Sequence, residues 1–410
     1  MPLTAGLPAR RGALKLLDAV LRRGETLEAA ESAALRGVAA PADRALARAI
    51  AGEVLRWLVD LDALIDSATR KRLPDDAKPR AVLRMMLAQW LRLDTPPHAV
   101  VATALPLLDG GPRRLAHGVF SALHKRGVAL PAAPTLPPSV AARWGERAAA
   151  IAAGLAEPPP LDLALRDAGE TDRWARVLGA AGLAPGHLRL PRGSAVAGLP
   201  GYREGAWWVQ DLAASLPARL LGPGEGRRAL DLCAAPGGKA LQLVSAGWQV
   251  TALDVSDKRL DRLRENLART GLAAKIWIAD ALTWEPAEAF DAILLDAPCT
   301  ATGTCRRHPD VLHRIGPRQI AEMAALQARL LERAQRWLSP GGVLVYTVCS
   351  LEREEGEEQA RRVGLPPLPI SAAELPAGLR PTSQGWLITD PGMLAGSGGL
   401  DGFFVARWKA

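Results

Sequence analysis

The chain has 410 residues, of which 49% are apolar, enough to bury more than one core and to form two or three domains. No apolar run approaches the roughly 18 residues a membrane span needs. The N-terminal Met1-Pro-Leu-Thr-Ala-Gly-Leu-Pro-Ala-Arg10 lacks the charged head and apolar core of a secretory signal. Four cysteines with no CxxC pair make neither a disulfide framework nor a zinc site, so a reducing cytoplasm is expected and a metal is not. The net charge of +8 is concentrated in residues 1–135, which hold 20 Lys and Arg against 13 Asp and Glu, a net +7; the remainder holds 31 against 30, a net +1. A basic first third fits a polyanionic partner, because neutralising phosphates dominates affinity for nucleic acid.

From Arg10 to Arg126 apolar residues recur three and four apart, as in Ala13-Leu-Lys-Leu-Leu-Asp-Ala-Val-Leu21, and nothing alternates as a strand would. The spacing predicts a bundle of six or seven helices, with breaks at Gly37, Leu73-Pro-Asp-Asp76, Thr95-Pro-Pro97 and Gly110-Gly-Pro112. Leu130 to Pro138 reads as a Pro-rich linker, followed by a short helix over Ser139 to Leu155 and the Pro158-Pro-Pro160 break. Two short apolar pieces, Leu161–Leu165 and His187–Leu190, flank one helical stretch over Thr171–Ala181. Residues 131–204 are therefore expected to be a linker and a small α+β lead-in, between an all-α domain over 1–130 and a third domain over 205–410.

From Gly205 strands and helices alternate. Strand candidates end at Asp231, Asp254, Asp280 and Asp296, with a fifth at Val343–Val348; helical runs at Lys239–Ala246, Ser256–Thr270 and Pro317–Leu338 lie between. That order predicts parallel strands with crossover helices, a doubly wound α/β domain whose ligands sit at the carboxyl ends of the strands. Trp386–Thr389 and Phe403–Trp408 read as a closing antiparallel pair. The stretch Ala229-Leu-Asp-Leu-Cys-Ala-Ala-Pro-Gly-Gly-Lys-Ala240 has the form of a nucleotide-binding turn. Gly237 and Gly238 carry no Cβ, so a ligand can approach the backbone and the N–H groups that open the next helix. Asp254 stands where such folds place an acid against ribose hydroxyls.

Two cysteines follow the fourth and fifth strands, in Asp296-Ala-Pro-Cys299 and Thr347-Val-Cys-Ser350, where adjacent strands would bring residues 50 positions apart to one rim. Cys233 and Cys305 read as small packing residues. A thiolate beside a carboxyl group suits chemistry on an electron-poor ring. Carbon 5 of cytosine becomes nucleophilic only after a thiolate adds at carbon 6, and a carboxyl group at N3 eases that addition. The residues alone do not rank the two thiols.

Asp231-Leu-Cys-Ala-Ala-Pro-Gly-Gly-Lys239, Asp296-Ala-Pro-Cys-Thr-Ala-Thr-Gly303 and Tyr346-Thr-Val-Cys-Ser350 resemble, in order, the signature motifs of the S-adenosylmethionine-dependent RNA cytosine-C5 methyltransferases. Arg306-Arg-His-Pro-Asp310 is similar to the bacterial RsmB/Sun branch acting on 16S ribosomal RNA, and the helical first domain looks like a NusB-type RNA-binding module. Gly205-Ala-Trp-Trp-Val-Gln-Asp-Leu-Ala-Ala-Ser215 resembles that family's element before the cofactor turn. The resemblance is close over 205–350, looser over 1–130 and faint over 131–204. It implies a Rossmann-like class I methyltransferase domain with a mostly parallel seven-stranded sheet. It also implies that Cys233, Ala234, Ala235, Pro236, Gly237, Gly238 and Lys239 wrap the cofactor, that Asp254 holds its ribose and that Asp280 lies by its adenine. Asp296 would sit between cofactor and base, acting as a base as well as a cofactor contact. Cys349 matches the family's nucleophile and Cys299 the cysteine of product release. Thr300, Val348, Gly356 and His117 depart from the usual Ser, Thr, Asn and Asn of the pattern, and none of them removes a catalytic group.

The expected activity is methylation of C5 of one cytosine in 16S ribosomal RNA, naked or in an early assembly intermediate, by a cytoplasmic monomer. The target base would be splayed from its stack to reach Cys349. Arg306, Arg307, Arg314 and Arg318 are candidate phosphate contacts near the pocket. An RNA-binding assembly factor with a vestigial fold is the rival that titration with the methyl donor would separate. A nicotinamide-dependent dehydrogenase is disfavoured because Ala234-Ala-Pro-Gly-Gly-Lys239 is not G-x-G-x-x-G.

Overall fold

A computed structural model describes residues 6–410, which form two compact units. One reaches from the start of the described chain to Ala156 and takes in Arg307–Ile315; the other comprises Glu157–Arg306 and Gly316–Ala410. Among the described residues no helix is long and apolar enough to cross a membrane.

The first unit is all helical: α1 (Leu7–Arg23), α2 (Leu27–Ala34), α3 (Pro41–Arg56), α4 (Leu58–Ser67), α5 (Lys78–Arg92), α6 (Pro97–Ala104), α7 (Gly110–Lys125), α8 (Pro138–Trp144) and α9 (Ala148–Gly154). In α1 the spacing of Ala13, Leu16, Leu17 and Val20 puts all four on one buried face. Gly24, at φ 70°, ends that helix, and the hydroxyl of Thr26 accepts the Ala29 N–H at 3.0 Å to start α2. That break has no proline to announce it. Conversely, Gly110-Gly-Pro112 opens α7 instead of interrupting a helix, because a proline in the first turn removes only an N–H that has no partner within the helix. Residues 131–156 pack with this unit. Thr135 donates both its N–H (2.8 Å) and its hydroxyl (2.6 Å) to Asp60, while Arg56 and Arg92 donate to the carbonyls of Leu155 (3.1 Å) and Ala156 (2.8 Å). The helix expected over Ser139–Leu155 is split between α8 and α9 at Gly145, whose φ is 54°.

The second unit holds two sheets. The smaller contains β1 (Leu161–Leu165), β2 (Ala181–Ala184), β3 (His187–Leu190) and β4 (Trp207–Val209) in the order β2-β3-β1-β4, with α10 (Thr171–Leu178) between β1 and β2. Next come α11 (Leu212–Arg219), β5 (Arg228–Leu232), α12 (Gly238–Ser245), β6 (Gln249–Asp254), α13 (Asp257–Thr270), β7 (Lys275–Ile278) and β8 (Phe290–Asp296). The chain leaves through α14 (Val311–Arg314) and returns through α15 (Pro317–Arg336), β9 (Leu338–Val348), α16 (Glu357–Ala360), β10 (Leu387–Thr389) and β11 (Phe403–Lys409).

The larger sheet runs β10-β11-β9-β8-β5-β6-β7. Strands β5 to β9 pair with one another in parallel, and β11 is antiparallel to both β9 and β10. This is the seven-stranded, mostly parallel sheet that the motifs imply. The central strands are near-continuous apolar runs because both faces are covered: Leu230 and Leu232 face the α15 side, and Ala229 the α11–α13 side. Strand order reverses beside β5, so a crevice opens at the carboxyl ends of β5 and β8.

Candidate active site at the rim of the parallel sheet

The turn after β5 is shaped by close approach. Cys233 and Gly237 have φ of 62° and 107°, and a Cβ at Gly237 would lie 2.5 Å from Leu263 Cδ1 of α13, so glycine alone fits there. At Gly238 a Cβ would meet Gln210 at 3.3 Å. Asp254 clasps the turn from β6: its carboxylate accepts the N–H of Ala235 at 3.1 Å and of Ser256 at 2.9 Å. Burial, then the nearby Asp254 and Asp296, push the Cys233 thiol far up.

Acids gather at the strand ends. Asp231 is fully buried, and neither of its carboxylate oxygens has a hydrogen-bond partner among the described residues. Burial, then the nearby Asp296, push its carboxyl well above the ordinary range, with Lys239 pulling the other way. Lys239 Nζ donates to Asp296 Oδ2 at 2.8 Å and lies 5.3 Å from the Phe403 ring centroid. Burial opposes the charge on Lys239, but the Asp296 carboxylate outweighs it and raises the ammonium above its usual pKa. Asp280, past the end of β7, is exposed and accepts the Leu282 N–H at 2.9 Å.

Parallel pairing of β8 with β9 sets Asp296 opposite Thr347, so the loops beyond them run side by side. They bring Cys299 Sγ to 3.4 Å from Cys349 Sγ, both half-buried. The hydrogen bond with Cys349, then burial, hold the Cys299 thiol well above the usual range. Gly303 permits the packing behind them: its N–H donates to Cys349 O at 3.0 Å, and a Cβ there would strike Gly402 O.

Next to this rim lies a cleft of about 460 Å³, lined among others by Trp208, Gln210, Gly237, Lys239, Arg262 and Asp296. Cys299, Cys349, Asp254 and Asp280 do not line it. The glycines of the turn leave the first N–H groups of α12 open to the carboxylate of an amino-acid-bearing methyl donor, whereas Asp231 is fully buried and does not line the cleft.

The four arginines expected to meet phosphate do not act as a set. Arg306 is 1% exposed; its guanidinium donates to Asp211 and Asp401, each at 3.1 Å, and to Gly398 O at 2.7 Å. It is a structural cation at the root of the loop, and its assignment to RNA is corrected. Arg314 pairs with Asp310 at 2.9 Å and, with Arg307, belongs to the helical unit. Arg318, on α15, is exposed and pairs with Glu322 at 2.8 Å.

Two features of the site escaped the sequence. The Lys239–Asp296 pair joins residues 57 apart, a distance only the strand order reveals. Glu355 is completely buried although it sits in Glu352-Arg-Glu-Glu-Gly-Glu357, which reads as a solvated charged run.

The sequence matches the family described as 16S rRNA methyltransferase RsmB/F over residues 218–377 and the NusB family over residues 7–110. It is 36% identical to the ribosomal RNA small subunit methyltransferase B of Xanthomonas campestris pv. campestris over 386 residues, 87% of each chain. The protein of that name from Xylella fastidiosa strain 9a5c is 36% identical over 424 residues, 96% of this chain and 98% of the other. Among solved structures, a methyltransferase homolog protein from Pyrococcus horikoshii is 28% identical with a TM-score of 0.55, covering 66% of this chain and 94% of that one.

Proposed function

The chain belongs to the RsmB/F family of 16S rRNA methyltransferases, and from that premise we propose that it methylates carbon 5 of one cytosine in 16S ribosomal RNA, with S-adenosylmethionine as the donor. When bound, that donor supplies an electrophilic methyl group on a sulfonium. The observation that carries the reading is the pair of sulfurs 3.4 Å apart beside the Lys239–Asp296 ion pair.

In this reading Cys349, as a thiolate, adds to carbon 6 of the splayed base and forms a C–S bond. The electrons of the 5,6 double bond move towards N3 and the exocyclic carbonyl, where hydrogen bonding to the ring stabilises them, and the Asp296 carboxylate is the base placed to take the carbon 5 proton. Lys239 holds Asp296 in place and balances its charge. Carbon 5 then takes the methyl group, its proton departs to a base, and the C–S bond breaks to restore the double bond and release Cys349. Cys299, held protonated at 3.4 Å, hydrogen-bonds the departing sulfur and so favours elimination. Gly237, Gly238 and Asp254 would hold the donor, with Asp280 as the acid assigned to its adenine. The basic helical unit adds sequence-independent attraction to phosphates. The enzyme works in the cytoplasm as a monomer, and Arg307, Arg314 and Arg318 remain candidate phosphate contacts.

Bisulfite sequencing of unmodified 16S RNA incubated with the protein and S-adenosylmethionine tests this directly. One protected cytosine is expected; uniform conversion of every cytosine, with methyl incorporated elsewhere, rejects carbon 5.

A further inference from the structure

The residues that follow the two cysteines in sequence meet on one carboxylate. Glu355 Oε2 accepts the N–H of Thr300 at 2.9 Å and Nε2 of Gln327 at 3.0 Å. Oε1 accepts the hydroxyl of Ser350 at 2.8 Å and that of Thr300. Thr300 follows Cys299 and Ser350 follows Cys349, so the two thiol loops are tied at equivalent points. Gln327, from α15, also donates to Pro298 O at 2.8 Å, which fixes the turn that presents Cys299. Behind the carboxylate, the Tyr346 hydroxyl donates to Glu355 O at 2.5 Å, and Thr302 Oγ1 lies 3.2 Å from Ser350 Oγ while accepting the Leu351 N–H at 3.0 Å.

We infer that Glu355 is a positioning residue for methyl transfer: it sets the spacing of the two cysteine loops and thereby the approach of Cys349 to the base. The inference rests on the proposed reaction. Each of its four side-chain bonds ends on one of the two loops or on the helix that braces them, so losing the carboxylate frees both thiols at once. Burial raises the carboxyl above its usual pKa while the Thr300, Ser350 and Gln327 donors restrain the shift. Geometry rather than charge is the requirement. An amide can replace the carboxylate with its oxygen at the Oε2 position, facing the two N–H donors, and its NH2 at the Oε1 position, facing two hydroxyls that can rotate to accept.

The test compares Glu355→Ala with Glu355→Gln. Glu355→Ala is expected to lower kcat by about 10²-fold, the effect of a misplacement near 1 Å, while KM for RNA and affinity for S-adenosylmethionine stay unchanged. Glu355→Gln is expected to retain kcat within about threefold, because all four bonds can be remade. Ser350→Ala, which cuts one tie on the nucleophile's side, supplies a milder variant should Glu355→Ala fail to fold; its kcat is expected to fall about tenfold with the same unchanged KM.

A second readout needs neither RNA nor methyl donor. Diamide takes two electrons and two protons from Cys299 and Cys349, becoming the hydrazine as the disulfide forms. That rate is expected to fall at least about tenfold in Glu355→Ala, or in Ser350→Ala in its place, and to hold in Glu355→Gln. Equal loss of kcat in the alanine and glutamine variants of Glu355, an unchanged disulfide rate in the alanine variants, or a matching rise in KM overturns the inference. A wild-type protein that yields no 5-methylcytosine fails the proposed reaction instead, and the disulfide rates still decide the loop spacing.

Discussion

Lys239 Nζ donates to Asp296 Oδ2 at 2.8 Å, joining the glycine turn after β5 to the end of β8. The contact sits where the glycine turn meets the cysteine loops, so in the proposed reaction it would couple donor binding to chemistry. Lys239→Met leaves Asp296 without its cation. A melting curve should show a loss of about 1–3 kcal/mol, and single-turnover methyl transfer should slow by about 10²-fold or more. Unchanged turnover with unchanged stability would mean the pair is incidental.

Gly237 is the residue that the turn cannot exchange. Its φ of 107° excludes a side chain, and so does Leu263 Cδ1, which lies 2.5 Å from where a Cβ would stand. Gly237→Ala is expected to cost about 1–3 kcal/mol of stability and, by distorting the first turn of α12, to weaken S-adenosylmethionine binding by at least about tenfold in isothermal titration. Wild-type affinity would remove the turn from the cofactor site.

Asp231 gives the donor-free protein a pH signature. Its carboxyl is raised by burial and by Asp296, so the folded protein holds a proton that the unfolded chain releases. The stability this group contributes is complete below the unfolded carboxylate pKa. It declines as pH rises from there towards the folded pKa, by at most about 1.4 kcal/mol per pH unit. Asp231→Asn carries no such proton. Measured by denaturant unfolding, the variant should gain on the wild type as pH rises above the unfolded carboxylate pKa, with a slope no steeper than one proton's; parallel curves would contradict the assignment.

Arg306 is expected to behave as a structural residue. With its guanidinium on Asp211, Asp401 and Gly398 O, Arg306→Ala should destabilise the protein by about 3–5 kcal/mol. Arg318→Ala, at an exposed pair, should change stability by less than about 1 kcal/mol. Filter binding to RNA across salt concentrations would expose the opposite outcome: a stable Arg306→Ala protein with a reduced salt slope.

What the sequence discloses and what it hides divide along a physical line. The parallel strands are legible as apolar runs ending in Asp231, Asp254 and Asp296, and the glycine turn is legible because few other sequences allow that backbone. Local pattern also marks β11 and its partner β10 as a closing pair. It misses β4, three residues long, and α11, which carries Pro217 in its interior. Arg306 looks like a phosphate ligand because a run of basic residues has the same composition whether it faces solvent or Asp211 and Asp401. Glu355 is hidden for the converse reason: its burial depends on Thr300 and Gln327, 55 and 28 residues away. Partners at that range leave no periodicity for a window to detect.

The most direct measurement is denaturing electrophoresis of the Cys299→Ala protein after incubation with 16S RNA and S-adenosylmethionine. The predicted result is a protein–RNA adduct that survives denaturation and disappears when Cys349→Ala is added. Free RNA released at the wild-type rate from Cys299→Ala, or an adduct that persists without Cys349, would contradict it.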